Sequence, residues 1–207
     1  MSLTCRLSDA LSTMELASTP DQESALIRYL ELLARWNRTY NLTAIHEPER
    51  MLTHHILDSL SIVPHVGAGP LLDVGSGAGL PGIPLAIMRP GLSLTLLDAS
   101  QKKCSFMQQA VIELKLPGIK VVHGRAEAFQ REGGFNQIIS RAFSDLSEFV
   151  RLTRHLLAEG GEWLAMKGLY PNEEIAQIKG ARVTRDTPLQ VPGLGAERHL
   201  IVLAPQP

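Results

Sequence analysis

Cysteine is scarce in this chain: among 207 residues only Cys5 and Cys104 carry thiols. They lie far apart, with neither a metal-ligand spacing nor enough partners for a disulfide framework, which points to a reducing compartment. Long apolar runs are missing as well. No segment approaches the roughly 20 residues that span a bilayer. Arg6, Asp9 and Glu15 interrupt the stretch in which a secretory signal would carry its apolar core. The expected setting is the cytoplasm, with no membrane partner. Strong charge of one sign is also absent, 20 Lys and Arg facing 21 Asp and Glu. A net charge of −1 excludes a protein that grips bare nucleic acid by bulk electrostatics. Any RNA recognition has to come from a local basic patch or from a folded particle offering shape. Internal repeats and low-complexity tracts are lacking too. What remains is an ordinary soluble composition, 44% hydrophobic and 20% charged, long enough for one full domain with an extension. A monomer is the expected state.

Residues 1–66 read as a helical N-terminal extension. Thr19-Pro20-Asp21-Gln22 supplies an N-cap, a proline at N1 and a glutamine at N3, followed by Leu26, Ile27, Leu30, Leu33 and Ala34 at helical spacing. Pro48 is expected to restart a helix that Pro64 stops. Residues 67–207 then read as one compact unit in which strands (71–74, 93–98, 119–123, 136–140, 161–167) alternate with helices. That alternation predicts a mostly parallel sheet with helices on both faces. The chain ends in a short helix and two strands, 182–191 and 197–203, expected to form an antiparallel hairpin. The layout is the α/β, Rossmann-like class I S-adenosylmethionine (SAM) methyltransferase fold, seven strands in all. A dehydrogenase would show two complete mononucleotide halves.

The most informative segment is Leu71-Leu72-Asp73-Val74-Gly75-Ser76-Gly77-Ala78-Gly79-Leu80-Pro81-Gly82. Gly75, Gly77 and Gly79 lie where a parallel strand hands over to a helix, the crevice at which such sheets bind ligands. Nineteen residues past Gly79, Asp98 ends the next apolar run, near the spacing at which a carboxylate reaches ribose hydroxyls. A dinucleotide and SAM both suit this geometry, and a purely structural turn is the third possibility. The dinucleotide fingerprint counted from Gly75 needs a glycine at 80, where Leu80 stands, although Gly77, Gly79 and Gly82 match out of register. Asp73 favours SAM, because a carboxylate two residues before the first glycine suits an ammonium and a sulfonium better than a pyrophosphate.

The acceptor atom is read from what the fourth strand end lacks. Exocyclic amines are commonly served by an Asn/Asp-Pro-Pro-aromatic motif there, and this chain has Ile139-Ser140-Arg141-Ala142-Phe143. Neither cysteine is placed for nucleophilic attack on a ring carbon. A ring nitrogen bears a lone pair and no proton, so its methylation needs orientation rather than a general base. A small-molecule nucleophile would leave the same blank, and a SAM- or nucleotide-binding module without catalysis stays open.

With these segments, Trp36-Asn37-Arg38-Thr39-Tyr40-Asn41-Leu42-Thr43, His55-Ile56-Leu57-Asp58-Ser59-Leu60, Leu80-Pro81-Gly82-Ile83-Pro84, Met166-Lys167-Gly168 and Glu197-Arg198-His199-Leu200, the chain resembles the RsmG family, also called glucose-inhibited division protein B, nearly end to end. The resemblance implies SAM-dependent methylation of guanine N7 in 16S ribosomal RNA of the small subunit, at position 527 in the 530 loop near the decoding site. It implies SAM contacts from Gly75, Leu80, Ala126, Glu127 and Arg141. His54 and Cys104 depart from the family pattern, which has a basic residue and a bulkier apolar one there.

Individual residues carry alternatives. Arg141 is expected to hold the SAM carboxylate or an RNA phosphate, against a salt bridge at the sheet edge. Lys167, at the end of the fifth strand, lines the crevice as a second positioning group. Glu127 by itself reads equally as a solvated first-turn glutamate. Asn41, Arg198 and His199 are the candidates for RNA contact. Trp36 reads as core. Lys102 and Lys103 read as a solvated pair. His54 and His55 point about 100° apart on a helix, so no metal site is expected.

Overall fold

The computed structural model describes residues 2–141, 143 and 145–206. Ala142, in the segment after the fourth strand, lies outside the described residues.

The extension begins with α1 (Leu3–Thr13) and α2 (Pro20–Tyr40). The Thr19–Gln22 capping box forms as expected, hydroxyl to backbone and amide to backbone. Gln22 does more than close the box, because its Nε2 also donates to the carbonyls of Ile87 and Met88, both at 3.1 Å. The single helix expected from Pro48 to Pro64 is in fact broken. A short α3 (Pro48–Met51) runs into a π-helical stretch, Leu52–Leu57, then into α4 (Asp58–Leu60) and a 3₁₀ turn at Val63–His65. From Met51 to Ser61 every residue except His54 is buried. A segment packed on nearly all sides has no clean apolar stripe, so a shift in helical phase leaves no periodic trace in the sequence.

The rest is a seven-stranded sheet of β1 (Leu71–Val74), β2 (Leu94–Asp98), β3 (Ile119–His123), β4 (Phe135–Ser140), β5 (Leu157–Lys167), β6 (Ala181–Pro188) and β7 (His199–Pro205). The order is β3-β2-β1-β4-β5-β7-β6, and β7 alone pairs antiparallel with its neighbours. Helices α5 (Gly82–Met88), α6 (Gln101–Glu113), α7 (Leu146–Thr153) and α8 (Asn172–Gln177) complete the chain. β5 starts earlier than expected because its register against β4 shifts between Phe135 and Gln137. Gly161 sits at that irregularity, where a Cβ would stand 2.9 Å from the Phe135 carbonyl oxygen.

Two buried apolar clusters flank the sheet. Leu26 and Leu33 of α2 belong to the same cluster as Ile83, Leu94 and Phe106, so the extension shares a core with one face. Trp163, Phe149 and Leu72 anchor the other. The strand order reverses between β1 and β4, and the crevice there is framed by the strand-end residues Val74, Asp98, Ser140 and Lys167.

Candidate active site

The glycine turn is held from below. Gly75, Gly77 and Gly79 all have positive φ (69°, 62° and 84°), which a side chain would strain. The Gly75 and Ser76 amides both donate to the Leu97 carbonyl, at 2.8 and 3.2 Å. Ser76 Oγ donates to the Asp73 carbonyl at 2.7 Å and accepts from the Leu97 amide at 3.1 Å. A side chain at Gly77 would meet nothing nearer than the Gly75 carbonyl oxygen at 3.9 Å, so open space lies beyond its Cα. At Gly82 a Cβ would overlap Leu96 and stand 2.8 Å from Asp73 Oδ2.

Two carboxylates fix this turn. Asp73 is fully buried, and its Oδ2 accepts from the Gly82 amide at 2.9 Å. Its Oδ1 has no hydrogen-bond partner among the described residues. Burial raises its pKa to about 7. The Gly82 amide and the Arg141 charge oppose that rise, and the Asp98 charge adds to it. Asp98 accepts from Gly77 N and from Ser100 N, both at 2.8 Å, and so joins the turn to the end of β2. Beneath it Cys104 is buried, its thiol donating to the Asp98 carbonyl at 3.3 Å and its pKa raised by burial. The extension reaches this turn as well. Tyr29 of α2 is completely buried, and its hydroxyl donates to the Ala78 carbonyl at 2.5 Å.

The ends of β4 and β5 are built differently. Arg141 Nη1 donates to Asp58 Oδ2 and to the His54 carbonyl, both at 2.9 Å. The edge salt bridge that the sequence left open therefore exists. Asp58 Oδ1 receives Arg198 Nε at 2.8 Å. Lys167 Nζ donates to Glu174 Oε2 at 2.7 Å and to the Phe143 carbonyl at 3.2 Å. The same Glu174 oxygen accepts from the Leu146 amide at the start of α7. Two cavities open here, one of about 320 Å³ between Ile45, His55, Asp58, Arg141 and Arg198, the other of about 600 Å³ between Phe143, Lys167, Tyr170 and Glu174. His55 lines the first, its pKa lowered to about 4 by burial and by the Arg141 charge, so the ring is neutral at neutral pH.

The remaining sequence candidates fall into place around these two groups. Leu80 is buried, its amide donating to the Ser76 carbonyl. Ala126 is buried and Glu127 exposed in the 3₁₀ turn Ala126–Ala128 after β3. Asn41 is exposed and left-handed (φ 49°) as the C-cap of α2, a conformation asparagine tolerates well. His199 pairs across the strands with Lys167, and its ring meets Tyr170 edge-on at 5.4 Å. Trp36 is only partly buried, packed on Phe106 and Tyr40. Lys102 is not simply solvated, for its Nζ donates to the Tyr40 carbonyl at the end of α2. Among the described residues no group of three His, Cys, Asp or Glu could hold a metal, and no helix is long and apolar enough to cross a membrane.

Three contributors escaped the sequence reading. Tyr29 was not among the residues of α2 that the helical spacing picked out. Asp58 stood only inside a motif. Asn37 is buried and accepts from Thr43 N at 2.8 Å, while Thr43 Oγ1 lies 2.9 Å from His55 Nε2. The available signal for the last pair was the Asn-Leu-Thr run after a helix, whose polar residues sit between apolar segments.

The family model for rRNA small subunit methyltransferase G, GidB, matches residues 22–201. The chain belongs to this family. A ribosomal RNA small subunit methyltransferase G of Laribacter hongkongensis is 58% identical over 204 residues, covering 98% of this chain and 99% of its own. The protein of that name in Chromobacterium violaceum is 55% identical over 200 residues, with 96% of each chain covered. Among solved structures, a SAM-dependent methyltransferase from Aquifex aeolicus superposes with a TM-score of 0.60 at 15% identity, over 76% of this chain and 93% of that one. The glycopeptide N-methyltransferase MtfA complexed with SAM gives 0.59 at 14%, over 74% and 88%. The expected fold is therefore present: this chain of the rRNA small subunit methyltransferase G family has the class I methyltransferase architecture of these structures, with added N-terminal helices.

Proposed function

We propose that the protein transfers a methyl group from SAM to N7 of a guanine in 16S ribosomal RNA, at the position named by the family resemblance. The observation that carries this reading is family membership over residues 22–201, together with a glycine turn and cation-lined cavities at adjacent strand ends. When bound, SAM supplies a methyl group on a cationic sulfur. The turn at Gly75, Gly77 and Gly79, with Leu80 behind it, lets the ligand approach the backbone closely. Asp73 lies buried beneath it, its Oδ1 without a hydrogen-bond partner among the described residues, and a cationic ligand above it would favour its charged form. Asp98 keeps lone pairs for the ribose hydroxyls. Ala126 and Glu127 frame the adenine.

Arg141 holds the SAM carboxylate, and Lys167 positions the acceptor. Asn41, Arg198 and His199 meet the RNA. Guanine N7 is already a nucleophile, so the chain has only to orient the base and exclude water. The helices up to residue 66 act as an extension of the methyltransferase unit 67–207. The enzyme works as a cytoplasmic monomer without a metal.

Radiolabelled SAM is offered with intact small subunits, with deproteinised ribosomal RNA and with a metabolite pool. Label is expected in the RNA as N7-methylguanine. Label confined to small molecules, or on an exocyclic amine, overturns the reading.

A further inference from the structure

Asp58 stands apart from every group assigned a role so far. Its side chain is 3% exposed, and each of its oxygens receives one arginine, Arg141 from the end of β4 and Arg198 from just before β7. These partners are 83 and 140 residues away in sequence. Only the tertiary fold brings them to one carboxylate. The His54 carbonyl shares Arg141 Nη1 with Asp58, and the Glu197 carbonyl takes Arg198 Nη1, so each guanidinium is held at two points. The cavity beside them sets two arginines, Arg141 and Arg198, against the single carboxylate Asp58, which leaves it net cationic, Lys167 in its wall being paired with Glu174.

A buried carboxylate that only neutralised one arginine would need one partner. A carboxylate shared between two sets their separation and their angle as well, because bonds to its two oxygens are directional. We propose that Asp58 is a positioning residue that aims Arg141 at the carboxylate of the methyl donor and Arg198 at a phosphodiester of the RNA. The inference deepens the proposed function and rests on it for the RNA half. The role assigned to Asp58 is not to hold either ligand itself. Its influence on both runs through the two guanidiniums, whose remaining N–H groups do the binding.

The test replaces Asp58→Asn. An amide has one acceptor oxygen and one donor nitrogen, so whichever way it turns, one arginine faces an N–H. SAM affinity is read by calorimetry and RNA affinity as KM for small subunits. Each is expected to weaken about tenfold, in the range typical of lost supporting contacts, while kcat at saturation moves less. Arg198→Ala is expected to raise the RNA KM alone. In that background Asp58→Asn should cost nothing more in RNA KM and still weaken SAM.

Wild-type values of both affinities in Asp58→Asn overturn the proposal. So does a loss of kcat and melting temperature at unchanged affinities, which is what a merely structural carboxylate would give. Should Asp58→Asn fail to fold, Asp58→Glu keeps the charge and displaces it by one methylene. Both affinities are then expected to fall about threefold, a milder misplacement. Wild-type behaviour of Asp58→Glu would mean that charge alone matters, which also overturns positioning. A wild-type protein that leaves ribosomal RNA unlabelled overturns the function proposed above. The calorimetric arm still decides the Arg141 half.

Discussion

The two halves of the crevice hold their geometry by opposite means. At the ends of β1 and β2 the contacts are backbone amides on buried acceptors: Gly82 on Asp73, Gly77 and Ser100 on Asp98, Gly75 on Leu97. At the ends of β4 and β5 they are long cationic side chains on carboxylates, Arg141 and Arg198 on Asp58, Lys167 on Glu174. Short covalent tethers make the first half a template for one ligand of constant shape. The second half is charged and open, and its groups come from the extension, from β4, from β5 and from the segment before β7. Such a surface suits a large polyanion whose contacts lie far from one another. The difference teaches that a net charge of −1 is compatible with an RNA substrate, because a local group of three cations, Arg141, Lys167 and Arg198, lines one cavity at these strand ends, and a whole-chain sum does not report it.

Four changes sharpen or break this contrast. The largest concerns Asp73. Its pKa is about 7 in the fold against 3.8 as the ordinary value. Between those limits the native state keeps a proton that the unfolded chain has released, so stability attributable to Asp73 is complete below about pH 4 and is lost as pH rises through about 7. Asp73→Asn should abolish a decline on the order of 4 kcal/mol across that window. The measurement is denaturant unfolding at a series of pH values, variant against wild type. His55 works in the opposite direction, its folded pKa being depressed to about 4. Its contribution is present above pH 6.5 and is lost on acidification, so the difference between variants is the informative quantity rather than the wild-type curve.

Next comes Gly82→Ala, whose methyl must displace Leu96 and crowd Asp73 Oδ2. A loss of about 3 kcal/mol in stability is expected, the upper end for overpacking a well-filled site, with SAM binding lost alongside. A fully stable variant that binds SAM would show the template half to be softer than described. Third, Asp98→Ala removes the acceptor of two backbone amides and, under the proposed function, of the ribose, so SAM affinity should fall by about 1.5–3 kcal/mol in calorimetry. Unchanged affinity would leave Asp98 as a loop tie only. The smallest effect is that of Tyr29→Phe, which deletes one buried hydrogen bond to the glycine turn at a cost of about 1 kcal/mol. Its signature is a raised KM for SAM with kcat unaltered. A purely stabilising role would lower the melting temperature and leave KM alone.

Legibility follows the same divide. The glycine turn, Asp73 and Asp98 could be read from the sequence because they are local: a strand end, a turn and the next strand end occupy fewer than 30 residues, roughly the size of a βαβ unit. The mostly parallel sheet with its antiparallel end was legible for a related reason, since alternating βα units leave few arrangements open. The cationic half was legible only in part. Arg141 and Lys167 were found because they end strands, but their partners Asp58 and Glu174 were not, since nothing local distinguishes a carboxylate that meets an arginine 83 residues away. The π-helical stretch Leu52–Leu57 was invisible for the reason that makes it useful. It buries apolar and polar side chains together, and periodicity detects only their separation.

Sequence by itself determined the class of sheet and the glycine turn at the end of its first strand, because glycine and proline restrict the backbone residue by residue. Tertiary structure alone decided that Tyr29 of the extension bonds to the Ala78 carbonyl, and that one aspartate holds two distant arginines. Those contacts depend on which surfaces the two apolar clusters bring together. Burial energy is proportional to area and indifferent to which polar residue happens to lie at the edge of the area buried.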